Sequence, residues 1–115
     1  MQIVVPGIPP SVNMYVRHSR GRHYVTKEAE RFQSDIAVLA SGYKVDAPAY
    51  QIEIHVLLGK GQRGDVDNFA KVVLDGLVKA GVIHSDSAVQ RLHISKERGK
   101  EAKTMIEIYP LGVKF

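Results

Sequence analysis

Two carboxylates one residue apart, Asp65 and Asp67, open the stretch RGDVDNFAKVVLDGLVKAGVIHSD, and a third, Asp86, closes it. Lys71 lies between them. In an extended turn, residues i and i+2 point to the same side, so Asp65 and Asp67 can aim at one point. Three carboxylates are hard oxygen ligands that suit Mg2+ or Mn2+ and suit Zn2+ less well. Mg2+ keeps several waters and binds through a few carboxylates plus a substrate phosphate. Such an ion polarises a phosphoryl oxygen, activates water and shields the charge that grows in the transition state. Lys71, one helical turn beyond Asp67, would add a fixed cation beside that charge.

Local patterns predict the elements that must carry these residues. IVVPGI, from Ile3 to Ile8, is β-branched and bounded by prolines, which reads as a first strand, with Pro6 marking an edge or an early end. Pro9 to Lys27 has no helical or strand period and reads as a long loop with a short hairpin around Gly21. It carries Arg17, Arg20, Arg22 and Lys27 with no acid, and His18 and His23 beside them. Thr26 is an N-cap for a helix from Lys27 to about Ser41, with Glu28 and Glu30 in its first turn. Phe32, Ile36 and Leu39 or Ala40 share a face, and Gly42 suits the C′ position. Tyr50 to Leu58 alternates, with Ile52, Ile54 and Val56 inward, the clearest strand in the chain. A glycine-containing turn leads to a second helix capped by Asp67, with Phe69, Val73, Leu77 and Ala80 as its apolar stripe and Gly81 at its end. Strands around Val89 to Lys96 and Thr104 to Tyr109 follow, joined by Glu97 to Lys100 as a hairpin turn. The expected fold is α+β: one domain over residues 1–115, ordered strand-helix-strand-helix-strand-strand, a mixed sheet with helices packed on it.

In that arrangement the reach of Asp86 is a matter of length. The second helix covers ~21 Å at 1.5 Å per residue. The six residues from Gly81 to Asp86 span at most ~20 Å if extended. Asp86 meets the other acids if this segment turns back along the helix.

Composition limits the classes of function. A chain of 115 residues with 44% hydrophobic residues is the size of one globular domain. It has no cysteine, which excludes disulfides and thiolate metal sites and fits a reducing cytoplasm. No apolar run approaches the ~20 residues of a membrane span. MQIVVPGIPP lacks the charged and apolar regions of a signal peptide. Lys+Arg 16 against Asp+Glu 12, a net charge of +4, allows a polyanionic partner without requiring one.

Each residue also has a plain reading. Asp67 can be an N-cap, Asp65 a turn residue, Asp86 a loop acid and Lys71 a solvated lysine. Asp75, four residues after Lys71, reads as structural, and His55 and His84 lack a paired histidine at metal spacing. A non-catalytic nucleic-acid-binding domain with structural acids is therefore an alternative. An Asp-x-Asp nucleotide-sugar transferase is another, but the chain is short for one and lacks a glycine-rich dinucleotide fingerprint.

The pattern as a whole resembles a known family. DVDNFAKVVLDGLVKAGVIHSDSAV is similar to the core motif of the RusA-type Holliday junction resolvases: Asp-x-Asp-Asn, a Lys three residues on, an Asp-Gly-Leu step and a final Asp before a small residue and Val. GIPPSVNMYVRH resembles that family's amino-terminal Pro-Pro-Ser-x-Asn-x-x-x-Arg stretch. The two matches fall in the expected order and cover nearly the whole chain. The resemblance implies a Mg2+-dependent endonuclease, with Mn2+ able to substitute. It implies a homodimer that nicks two strands of a four-way DNA junction symmetrically, in the cytoplasm of a bacterial or phage-infected cell. Asp65, Asp67 and Asp86 match its catalytic, metal-holding acids, and Lys71 its essential lysine. Asn13, Arg17, Arg20, Arg22, Lys27 and Asn68 are the residues expected on the DNA, with Arg91, Lys96, Arg98 and Lys100 as a second basic patch. The family often has Asp-Asp where this chain has Ser85-Asp86; the acid kept is the one at the catalytic position.

Overall fold

The computed structural model describes residues 1–11, 16–19 and 22–113, and of residues 16–19 and 22–24 the backbone only. Among these, the order is β1 (Gln2–Pro6), β2 (Val16–Ser19), β3 (Arg22–Val25), α1 (Lys27–Ala40), β4 (Ala49–Leu58), α2 (Ala70–Lys79), β5 (Val89–Arg98) and β6 (Lys103–Leu111). A 3-10 turn, Val66–Asn68, precedes α2, and another, Asp86–Ala88, precedes β5. Four strands form a mixed sheet in the order β1-β6-β4-β5, and β2 and β3 form a separate ribbon. The fold is α+β, as expected.

The alternation in β4 sets the layers. Ile52, Ile54 and Val56 are at most 1% exposed, each worth ~1.5–3 kcal/mol of burial. Ile3 and Val5 of β1 and Ile106 and Ile108 of β6 join them in one core with Phe32 and Ile36 of α1 and Val72, Val73 and Leu77 of α2. The helices pack on each other closely because Gly76 has no Cβ; one there would lie 2.9 Å from Ile36 Cδ1. Buried Gln33 links them further: its Nε2 donates to the Val72 carbonyl (3.1 Å), and Lys79 Nζ donates to its Oε1 (2.8 Å).

Several local expectations hold. Thr26 caps α1, its hydroxyl accepting from Ala29 N at 3.4 Å. β1 ends at Pro6 on the sheet edge. β2 and β3 pair with Arg17 opposite Tyr24 and Arg22 opposite Ser19, a hairpin within the basic loop.

Two expectations are corrected. The second helix does not start at Asp67: Asp67 lies inside the 3-10 turn, and α2 begins at Ala70 without a side-chain cap. The residues Glu97 to Lys100 do not make a hairpin, because β5 and β6 are not neighbours. β4 lies between them, parallel to β5 and antiparallel to β6. The connection passes over the end of β4, where Gly99 N donates to Leu58 O at 2.9 Å.

Candidate active site

The acid turn grows out of the end of β4. Residues 59–64 form a loop closed on itself, with Gln62 N donating to Gly59 O (3.1 Å) and Gly59 N to Gln62 Oε1 (2.8 Å). Two cations of β5 hold this loop. Arg98 Nη1 donates to the carbonyls of Gly59 (2.6 Å) and Gln62 (2.9 Å), and Lys96 Nζ donates to that of Gly64 (2.7 Å). Lys96 and Arg98, expected among the phosphate-gripping patch, are thus engaged in fixing the segment that leads into Asp65. Nothing in a sequence marks a lysine as reaching a carbonyl 32 residues away; only the parallel β4–β5 pairing brings the two together.

Asp65 is extended (φ −98°, ψ 142°) and starts the 3-10 turn, into which Asn68 N donates back to Asp65 O at 3.0 Å. Asp67 is within that turn, so the two acids are not related by the two-residue repeat of an extended strand. Phe69 anchors the turn: it is 1% exposed, and its ring lies under Gly64, where a Cβ would come within 2.4 Å of it. Lys71, in the first turn of α2, pairs with Asp75 at 3.5 Å, and the lysine side chain is 60% exposed.

Asp86 arrives from the other end of α2. Gly81 takes the left-handed conformation (φ 76°) that ends the helix. The segment after it is then pinned to the start of β4: Val45 N donates to Val82 O (2.9 Å), Tyr50 Oη donates to Val45 O (2.7 Å), and His84 N donates to Tyr50 Oη (3.4 Å). Ser85 caps the 3-10 turn of Asp86, its hydroxyl accepting from Ser87 N at 3.2 Å. Ser85 therefore has a structural task where the family often has an acid.

All three aspartates are exposed. None of their carboxylates makes a hydrogen bond or ion pair among the described residues. Among those residues no group of three or more His, Asp or Glu side chains stands close enough to hold a metal ion. The structure thus places Asp65 and Asp67 in one turn and Asp86 in another, without a preassembled cluster. The donor chemistry nonetheless fits a hard divalent cation. Free carboxylate oxygens on exposed turns are what Mg2+ uses when water and a substrate phosphate complete its shell.

Of the residues expected on the DNA, Asn13 and Arg20 lie outside the described residues. Arg17 and Arg22 are placed by backbone only, and Lys27 is exposed at the start of α1. Asn68 is half-buried in the acid turn. Arg91 and Lys100 are exposed. No helix of the described residues is long and apolar enough to cross a membrane.

The model of the family described as Endodeoxyribonuclease RusA matches residues 6–109. The chain is 33% identical over 91 residues to the crossover junction endodeoxyribonuclease rusA of Enterobacteria phage 82, covering 76% of each chain. The corresponding protein of Escherichia coli K12 matches to the same extent. That of Escherichia coli O139:H28 is 32% identical over 107 residues, 87% of this chain and 89% of the relative. A family match over residues 6–109, with relatives 32–33% identical over most of the chain, shows that the chain belongs to the RusA family of endodeoxyribonucleases.

Proposed function

We propose that this chain is a Mg2+-dependent endonuclease that resolves four-way DNA junctions by paired, symmetric nicks. The observation that carries the reading is the family match, which spans every residue of the proposed site from Asn13 to Asp86. The relatives it names act on crossover junctions. Asp65, Asp67 and Asp86 would hold the ion, with Mn2+ able to replace Mg2+. Bound there, the ion would supply the positive charge that polarises the phosphodiester and lowers the pKa of water.

The chain's own groups do the rest. Lys96 and Arg98 hold the acid loop in place before substrate arrives, so less ordering is left to the encounter. Lys71 would turn from Asp75 toward the negative charge that develops on the phosphate. Arg17, Arg20, Arg22 and Lys27 would bind backbone phosphates, which position DNA and read little sequence. Asn13 and Asn68 would contact the strand near the acids. Two matched cuts require two sites, hence a homodimer on one branched DNA. Such a substrate places the protein in the cytoplasm of a bacterial or phage-infected cell.

The test is a synthetic four-way junction incubated with protein, with and without Mg2+, and read on a denaturing gel. The reading expects symmetric nicks in two opposing strands that vanish with chelator. Binding without any nick would instead support a non-catalytic DNA-binding domain.

A further inference from the structure

Beside the acid turn lies a cavity of about 630 Å3, within the ~300–1,000 Å3 range of pockets that enclose small organic ligands. Its apolar walls are Pro6, Ile8, Pro9 and Pro10, with Phe32 of α1 and Phe69 beneath them. The segment after β1 is fixed where it forms this wall. Gly7 N donates to Ala102 O (3.0 Å), and Thr104 Oγ1, wholly buried, donates to Gly7 O (2.9 Å). Glu28, Arg31 and Asp35, spaced along one stripe of α1, reach the cavity together with Arg63. Among the described residues, none of these four side chains makes a hydrogen bond or ion pair.

The charges decide the kind of ligand. Among the described residues, two carboxylates and two guanidinium groups leave the mouth without net charge, so these groups give a phosphate no advantage there. A flat, neutral ligand with both donors and acceptors on its edge matches it. A nucleobase is such a ligand. Its exocyclic amine can donate to Asp35 or Glu28, its carbonyl or ring nitrogen can accept from Arg31 or Arg63, and its faces fit apolar walls. Location points the same way. Arg63 lies two residues before Asp65 and Phe69 two after Asp67, so cavity and acid turn share a wall. A strand with one phosphate at the acids would bring its neighbouring nucleotide toward this mouth.

We propose that the cavity receives one unstacked base of the strand being cut, from a nucleotide adjacent to the scissile phosphate. The inference rests on the endonuclease reading above. A branch point is where an unstacked base costs least, because its pairing and stacking are already broken.

The experiment is an abasic scan. A set of junctions, each lacking one base near the branch, is bound by the full-length protein in chelator. Intact junction with Mg2+ serves as the cutting control. The proposal expects one position, next to the nicked phosphate, where base removal weakens binding about tenfold, the scale of one well-made base contact. It also expects Arg31→Ala and Asp35→Ala to weaken binding of the intact junction several-fold, yet to add little on the junction abasic at that position. Among the described residues neither side chain has a partner, so thermal melting of the variants should match wild type; the wild-type scan needs no variant at all. Wild type that nicks the junction but binds every abasic junction equally overturns the pocket and leaves the endonuclease reading standing. Losses that multiply at every position also overturn it. Wild type that neither binds nor nicks a junction removes the endonuclease reading, and this inference with it.

Discussion

An aspartate whose carboxylate meets no donor can become asparagine at little structural cost, and among the described residues Asp65, Asp67 and Asp86 are of this kind. The amide keeps the size and removes one full charge from the proposed ligand set. Each Asp→Asn variant is therefore expected to fold as wild type and lose junction cutting by orders of magnitude. Each should bind the junction as well or better, since a negative charge facing phosphates has gone. Cutting rate beside affinity, with melting as control, checks this, and wild-type cutting by Asp86→Asn would make Asp86 a mere loop acid. The sequence marks the acids by type and spacing but misjudges Asp67, which is an N-cap by propensity and sits within a 3-10 turn in fact. Lys71→Ala is expected to stop cutting while shifting stability by ~0.3–0.5 kcal/mol at most, the worth of an exposed i,i+4 pair. Away from the site, the Tyr109 hydroxyl is raised to about 12, chiefly by donating to the Glu107 carboxylate. The native state holds that proton more tightly, so its small contribution to stability is complete below pH 10 and is lost as pH rises toward about 12. In an alkaline titration of tyrosinate absorbance, the component removed by Tyr109→Phe should be one that ionises near pH 12.

At the scale of elements, the parts readable in the sequence are those that local periodicity or capping determines. β4 has its alternation, α1 its Thr26 cap, and the ends of α2 and β1 their Gly81 and Pro6. What depends on non-local pairing is not readable. Glu97 to Lys100 has hairpin chemistry, but β4 inserts between the two strands, and no residue in that turn records the insertion. For the same reason Lys96 and Arg98 read as part of a phosphate-gripping patch until β5 is laid beside β4. Their bonds to the 59–64 carbonyls make a prediction. Arg98→Ala should loosen the loop, lowering stability by ~1 kcal/mol and cutting more than junction affinity, because positioning and not phosphate contact is lost. A proportional loss of both would return Arg98 to the DNA-binding patch. Gly64→Ala tests the anchor under the same loop. Its Cβ would meet the buried Phe69 ring at 2.4 Å, and neither ring nor backbone can yield cheaply. The expected cost is ~1–3 kcal/mol, read by denaturant melting, with cutting reduced because the turn that carries Asp65 must move.

For the whole molecule, the remaining question is how one small domain would make the two matched cuts proposed for it. Each chain carries one set of Asp65, Asp67, Asp86 and Lys71, so symmetric nicking requires a second copy on the same DNA. A two-fold dimer would present two such sets related by the same axis that relates the junction's strands. Light scattering should then show twice the 12.7 kDa chain mass. Binding should weaken with salt, each of Arg17, Arg20, Arg22 and Lys27 that touches a phosphate adding ~0.9 to the slope of log affinity against log salt. Lys96→Ala, by contrast, should leave that slope unchanged, since its ammonium is already bonded to Gly64 O. The decisive measurement uses mixed dimers. Wild type is combined with excess Asp86→Asn and given a supercoiled plasmid that extrudes a cruciform. If each chain cuts independently of its partner's acids, a mixed dimer makes one nick, the circle relaxes, the cruciform is reabsorbed, and nicked circles accumulate in place of linear DNA. Wild type alone should give linear molecules, because the second cut follows before release. A mixture that yields linear DNA in proportion to wild-type protein, with no excess of nicked circles, would mean that one chain makes both cuts, and the dimer would have no part in the symmetry.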